Sequence, residues 1–176
     1  MYKKNLYTDS NEAKLYNKIL HLSRSKFLYT ELLINDTFQN KINLIFLHIA
    51  FIFTKVKQNN TENYYNKFYQ KMFDYTFKCI EINMREIGHG DTLINKNMKF
   101  LIKTFYAILL NCEKYIKKNN NDKFSFLSNF LEVNNVNKNA KNFNIIEYFN
   151  QYHSFCLALS ADNVLNGDLN FNYRKI

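Results

Sequence analysis

Histidine and cysteine are the side chains here best suited to metal or covalent chemistry, and their spacing argues against both. His21, His48, His89 and His153 are scattered and form no H-x-x-x-H or H-E-x-x-H pair. A metal site would have to be assembled across the fold, and none is expected. Cys79, Cys112 and Cys156 are odd in number, far apart and not in C-x-x-C spacing. They read as free, mostly buried thiols in a reducing compartment. No G-x-S-x-G occurs, and no nucleophile stands beside an identifiable base. Catalysis therefore finds little support in the residues, and no catalytic residue and no cofactor are expected. His48 lies in the most apolar run, where a hydrogen-bonded core histidine is the expectation. Proton transfer there would need a carboxylate neighbour, which the local sequence lacks.

"IGHGD", residues 87–91, is the other candidate. The chain has three glycines and no proline, yet Gly88 and Gly90 stand two apart. A phosphate loop needs G-x-x-x-x-G-K-[ST], or G-x-G-x-x-G after a strand. Here G-x-G follows helical sequence with no third glycine. A corner between two helices fits better. Gly88 can take positive φ after the last turn, and Gly90 can allow a second bend. Asp91 or Thr92 can then bind free N–H groups at the next helix start. Arg85 suits the preceding helix's C-terminal dipole and pairs with Glu81 at i,i+4.

The elements that position these residues are helical throughout. Leu15, Ile19 and Leu22 mark a first amphipathic helix, followed by a looser segment. Asp36 or Thr37 can cap a second, apolar helix over about 38–57. A third covers about 62–87, with Tyr65, Phe68, Met72, Phe73, Cys79 and Ile80 inward. A fourth covers about 95–117, with Met98, Leu101, Ile102, Phe105, Leu109, Cys112 and Ile116 inward. A fifth covers 123–132. "NNVNKNAKN", residues 134–142, reads as a loop, and a sixth helix covers 145–161. A short turn then stops at Gly167. No repeat and no strand is recognised. The expectation is an all-α fold, one domain over residues 1–176, a bundle of about six to seven helices.

Asparagine occurs 29 times and tryptophan never, the drift of an AT-rich genome. The net charge of +9 favours an anionic neighbour such as ribosomal RNA or an acidic membrane face; the drift toward lysine is the competing explanation. No basic run forms a tail. No signal peptide and no arginine-rich transit peptide is recognised. The longest apolar run, "INLIFLHIAFIF", spans ~18 Å as a helix, against a bilayer core of ~30 Å, so it reads as a buried helix. On the fourth helix, Lys96, Lys99, Lys103, Lys114 and Lys117 lie opposite the core face, and Tyr106 and Leu110 share their stripe at 100° per residue. It is either a solvated lysine face or a binding face of mixed apolar and basic character.

"MREIGHGDTLINKNMKFLIKTFYAILLNCEKYI" resembles the signature of the ubiquinol–cytochrome c chaperone family: L-R-E-x-G-V-G-D, then V-P-K-x-M-K, then F-Y-G. Arg85, Glu86, Gly88, Gly90, Asp91, Lys96, Met98, Lys99, Phe105 and Tyr106 stand at those places. "FLYTELLINDTFQNKINLIFLH" is similar to a second block, through Tyr29, Asp36, Thr37, Leu47 and His48, and "GDLNF" to the family's ending. The resemblance spans about 15–172. Asn35 and Asn95 replace prolines, Asn40 and Lys41 replace Gly-Arg, His89 replaces valine, and Ala107 replaces the glycine after F-Y.

The resemblance implies a non-enzymatic cytochrome bc1 assembly factor that binds newly made cytochrome b. It implies work near the ribosome; the acidic membrane surface that the net charge favours and a second assembly factor stand beside the ribosome as further candidate partners. The resemblance also implies the short bacterial form, cytoplasmic and peripheral at the inner membrane face, or on the matrix side in a eukaryote. Arg85, Glu86, Gly88, Gly90, Asp91, Lys96, Lys99, Lys103, Tyr106, Leu110, Asp36 and Thr37 are then the expected partner-binding positions. Two alternatives stay open: a basic RNA- or ribosome-binding module without client specificity, and an enzyme using His48 or His89.

Overall fold

The most apolar run becomes the axis of the fold. The computed structural model describes residues 10–58, 62–134 and 138–171. They form α1 (Asn11–Ser23), α2 (Lys26–Thr30), α3 (Phe38–Gln58), α4 (Glu62–Glu86), α5 (Asp91–Glu113), α6 (Asn120–Ser128), α7 (Lys138–Ala158) and α8 (Ala161–Leu165). A 3-10 turn, Tyr115–Lys117, follows α5. The fold is all-α, six longer helices with two short ones. Among the described residues there is no strand, only an isolated antiparallel bridge between Ile34 and Val133.

Every residue from Ile42 to Thr54 is buried, and α1, α4, α5, α7 and α8 pack around α3. Burial of each such Phe, Leu or Ile side chain contributes about 1.5–3 kcal/mol. Polar groups on α3 have partners. Asn43 donates to the Phe130 carbonyl at 2.6 Å, and Thr54 to Phe51 at 2.7 Å. Thr37 caps the helix, its Oγ1 accepting from the Asn40 N–H at 3.2 Å. Asp36 instead pairs with Lys41 on the surface. Among the described residues no helix is long and apolar enough to cross a membrane.

Phe68, Met72, Cys79 and Ile80 of α4 are buried as their spacing predicts; the side chain of Tyr65 lies outside the described residues. Other expectations need correction. The fourth helix starts at Asp91, four residues early, and ends at Glu113. The chain then tightens into the 3-10 turn, which brings Tyr115 inward at 0% exposure and leaves Ile116 63% exposed rather than inward. The fifth helix runs 120–128, not 123–132. Buried Asn40 detaches the following segment: its Nδ2 donates to the carbonyls of Asn35 and Glu132 at 2.9 and 3.0 Å, and its Oδ1 accepts from the Glu132 N–H at 3.0 Å. The asparagine-rich stretch is not a loop from Lys138 onward, since α7 begins there; residues 135–137 lie outside the described residues.

Candidate functional site

The corner between α4 and α5 is built by one glycine rather than two. Gly88 has φ +91°. Its N–H donates to the Arg85 carbonyl at 3.0 Å, and the His89 N–H to the Met84 carbonyl at 3.0 Å. These are the two bonds of a Schellman cap, which satisfies the last carbonyls of α4. Gly90 does not make a second strained bend. It stands at φ −75°, ψ 158°, backbone that any residue adopts, as the N-cap of α5. No side chain caps α5, so the capping role expected of Asp91 or Thr92 is not observed. Asp91 instead accepts from the Arg85 guanidinium, which also donates to Glu81 at 2.9 Å. These bonds, Asp91 first, hold the Arg85 pKa above its ordinary value. Arg85 and Asp91 therefore tie the corner shut across the turn, while Glu86 projects into solvent.

From this corner α5 runs with one face against the core and the other uncovered. Leu101, Phe105, Ile108, Leu109 and Cys112 are buried. Lys96, Lys99 and Lys103 are exposed. Tyr106 and Leu110 are 45% and 60% exposed, so both lie on the uncovered stripe as their spacing predicts. The Tyr106 ring rests on Phe73 and Phe105, at 5.9 and 6.0 Å between centroids. Two further large apolar residues join the stripe, Leu93 at 46% and Phe100 at 59% exposure, and Ile87 adds 59% at the corner. Sequence reasoning passed over Phe100 and Leu93, although each falls within one step of the lysine stripe at 100° per residue.

Beside the middle of this face lies a groove of about 470 Å³. Phe100, Lys103 and Ala107 form its α5 side; Gln39, Asn40 and Asn43 belong to α3; Phe130 and Glu132 lie on the segment after α6. The two sequence blocks, one around Asp36–Lys41 and one around residues 96–106, thus meet at one concavity. Asp36 and Thr37 stand just ahead of it and serve as a surface ion pair and a helix cap. The corner residues lie at the other end of the face, roughly 18 Å along the helix from Lys103.

The arrangement can hold an apolar segment between aromatic and aliphatic anchors while lysines meet charge at its edges. His48 is fully buried. Its Nδ1 lies 2.6 Å from the Leu44 carbonyl, to which it donates, and its Nε2 lies 2.7 Å from the Tyr148 hydroxyl. His153 is buried, and its pKa is lowered by desolvation and then by Lys123. His89 is half-buried, its Nδ1 without a hydrogen-bond partner among the described residues. Among the described residues no three metal-ligating side chains gather. All three cysteines are free and buried.

A family model described as ubiquinol-cytochrome C chaperone matches residues 30–171. The fold is similar to that in a crystal structure of the Cbp3 homolog from Brucella abortus, with a TM-score of 0.75 and 21% identity, over 90% of this chain and 87% of that one. No curated protein matches the sequence.

Proposed function

The chain belongs to the ubiquinol–cytochrome c chaperone family, and from that premise we propose that it is a non-enzymatic assembly factor for the cytochrome bc1 complex. It holds newly made cytochrome b on the outer face of α5. The observation that carries this reading is the apolar stripe of Leu93, Phe100, Tyr106 and Leu110, exposed between Lys96, Lys99 and Lys103 beside the groove. A newly made membrane protein presents apolar helices near acidic lipid and RNA. A stripe of anchors in a basic frame can hold such a segment by burial and exclude water around it. The protein works peripherally at the membrane face where cytochrome b emerges, near the ribosome and with a second assembly factor. Arg85, Glu86 and Asp91 extend the client surface at the corner.

Replacing Phe100, Tyr106 and Leu110 by aspartate tests this. Phe100 and Leu110 are well exposed, so each change should alter stability by no more than about 0.5 kcal/mol, and Tyr106, whose ring rests on Phe73 and Phe105, by about 0.5–1.5 kcal/mol, while bc1 assembly is lost. A folded triple variant that still supports full assembly would contradict the proposal. The net charge of +9 favours one second reading, a basic module on ribosomal RNA. That reading requires binding that weakens steeply with salt and ignores the three aspartates.

A further inference from the structure

The elbow between α1 and α2 carries a second concavity, of about 780 Å³, which shares no residue with the α5 groove. Lys18, His21 and Arg24 reach it from successive turns at the end of α1. Lys26 lines it from the first residue of α2, and Asn170 lines it from the segment after α8. No aspartate or glutamate is among its lining residues. Among the described residues, Lys41, Lys57, Lys71 and Arg85 have carboxylate partners, whereas Lys18, Arg24 and Lys26 have none. Like charges gathered around a cavity without a counter-ion repel one another, and a bound anion relieves that repulsion.

The donors suit phosphate better than a single carboxylate. Arg24 offers a planar fork for two oxygens, and the lysines offer mobile point charges for the others. Ser25 occupies the N-cap position of α2 without making a capping bond, which leaves its hydroxyl at the pocket edge as a further donor. The cavity exceeds a bare phosphate in size. Leu22, buried, and Phe171, half-buried, give it an apolar flank for the esterified group. We propose that this elbow pocket binds the phosphate of a small phosphate ester, free or as the headgroup of an anionic lipid.

Two arms separate the sources. The first titrates the full chain calorimetrically with inorganic phosphate and glycerol 3-phosphate. The second measures sedimentation with phosphatidylglycerol vesicles against phosphatidylcholine vesicles. Each is repeated with the variant Lys18→Gln, Arg24→Gln, Lys26→Gln and with the charge-matched variant Lys67→Gln, Lys78→Gln, Lys118→Gln. Each basic residue near an anionic surface is worth about fivefold in partition, so the elbow variant should lose roughly a hundredfold on phosphatidylglycerol while the matched variant changes little. Binding of glycerol 3-phosphate without vesicle binding assigns a free ester. Vesicle binding lost only in the elbow variant assigns the lipid headgroup. The proposal is overturned if neither ligand binds, or if the matched variant loses as much as the elbow variant. Cytochrome b capture is not read in either arm, so this outcome is independent of the client-holding reading.

Discussion

Substitution of the three glycines should give three different sizes of effect and two signs, because their backbones differ. Gly88, at φ +91°, has open space where a Cβ would stand. Gly88→Ala therefore meets only the left-handed penalty of an L-residue, about 1–2 kcal/mol. Gly167, at φ +69°, meets more, since an added Cβ would lie 2.7 Å from the Asn11 carbonyl oxygen and 3.1 Å from the Lys14 Cβ. Backbone has to move there, so Gly167→Ala should cost about 2–5 kcal/mol, the conformational penalty plus overpacking strain. Gly90, at φ −75° with nothing within 4 Å, accepts a side chain freely. Gly90→Ser should stabilise by about 0.5–1 kcal/mol, through a less flexible unfolded chain and a new N-cap oxygen for α5. Urea unfolding followed by far-UV circular dichroism gives the order, read from midpoints at a common slope. A Gly90 variant as destabilised as Gly88→Ala would refute this account of the corner, because it would require two strained bends where the structure has one.

Asn40→Ala should destabilise by about 2–3 kcal/mol, since it removes three hydrogen bonds and leaves the Glu132 N–H and carbonyl without that partner; hydrogen exchange should quicken first along residues 130–134. Burial raises the pKa of Cys79, Cys112 and Cys156, so iodoacetamide should label them only on unfolding, and labelling of the native protein would contradict their placement. The His153 pKa is lowered in the folded state by burial and by Lys123. The unfolded chain then binds the proton more readily. This contribution to stability is complete above the ordinary histidine value of 6.5 and is lost as pH falls through that value to the folded pKa. His153→Gln should flatten that part of the pH–stability profile, measured by thermal melts across the acid range.

The helical class and most inward faces were legible because apolar spacing of three and four residues leaves few alternatives. His48 was legible as a core residue for the same reason, its setting being apolar on every turn. The ends of helices were not, because boundaries depend on hydrogen bonds from distant residues. Asn40 shows this. As a departure from a family glycine it reads as compositional drift, yet it holds the segment that ends α6 early and forms one wall of the groove. The loss of helical periodicity after Glu113 likewise exchanged Ile116 for Tyr115 in the core. Gly90 reads like Gly88 in sequence, and only φ separates them. On the candidate surface, Tyr106 and Leu110 were found because they interrupt a lysine stripe. Phe100 escaped because it sits at the stripe's edge, where inward and outward assignments differ by a few tens of degrees. The elbow pocket could not be read at all, since it joins α1 and α2 to a segment about 150 residues away in the chain.

The central claim is that the outer face of α5 holds cytochrome b. A photoreactive amino acid placed at Phe100, activated in cells with bc1 assembly under way, tests it most directly, with adducts identified by mass spectrometry. The account predicts a dominant adduct with cytochrome b, lost when Tyr106 and Leu110 are changed to aspartate. Adducts with ribosomal proteins or RNA alone, unchanged by those substitutions, would contradict it.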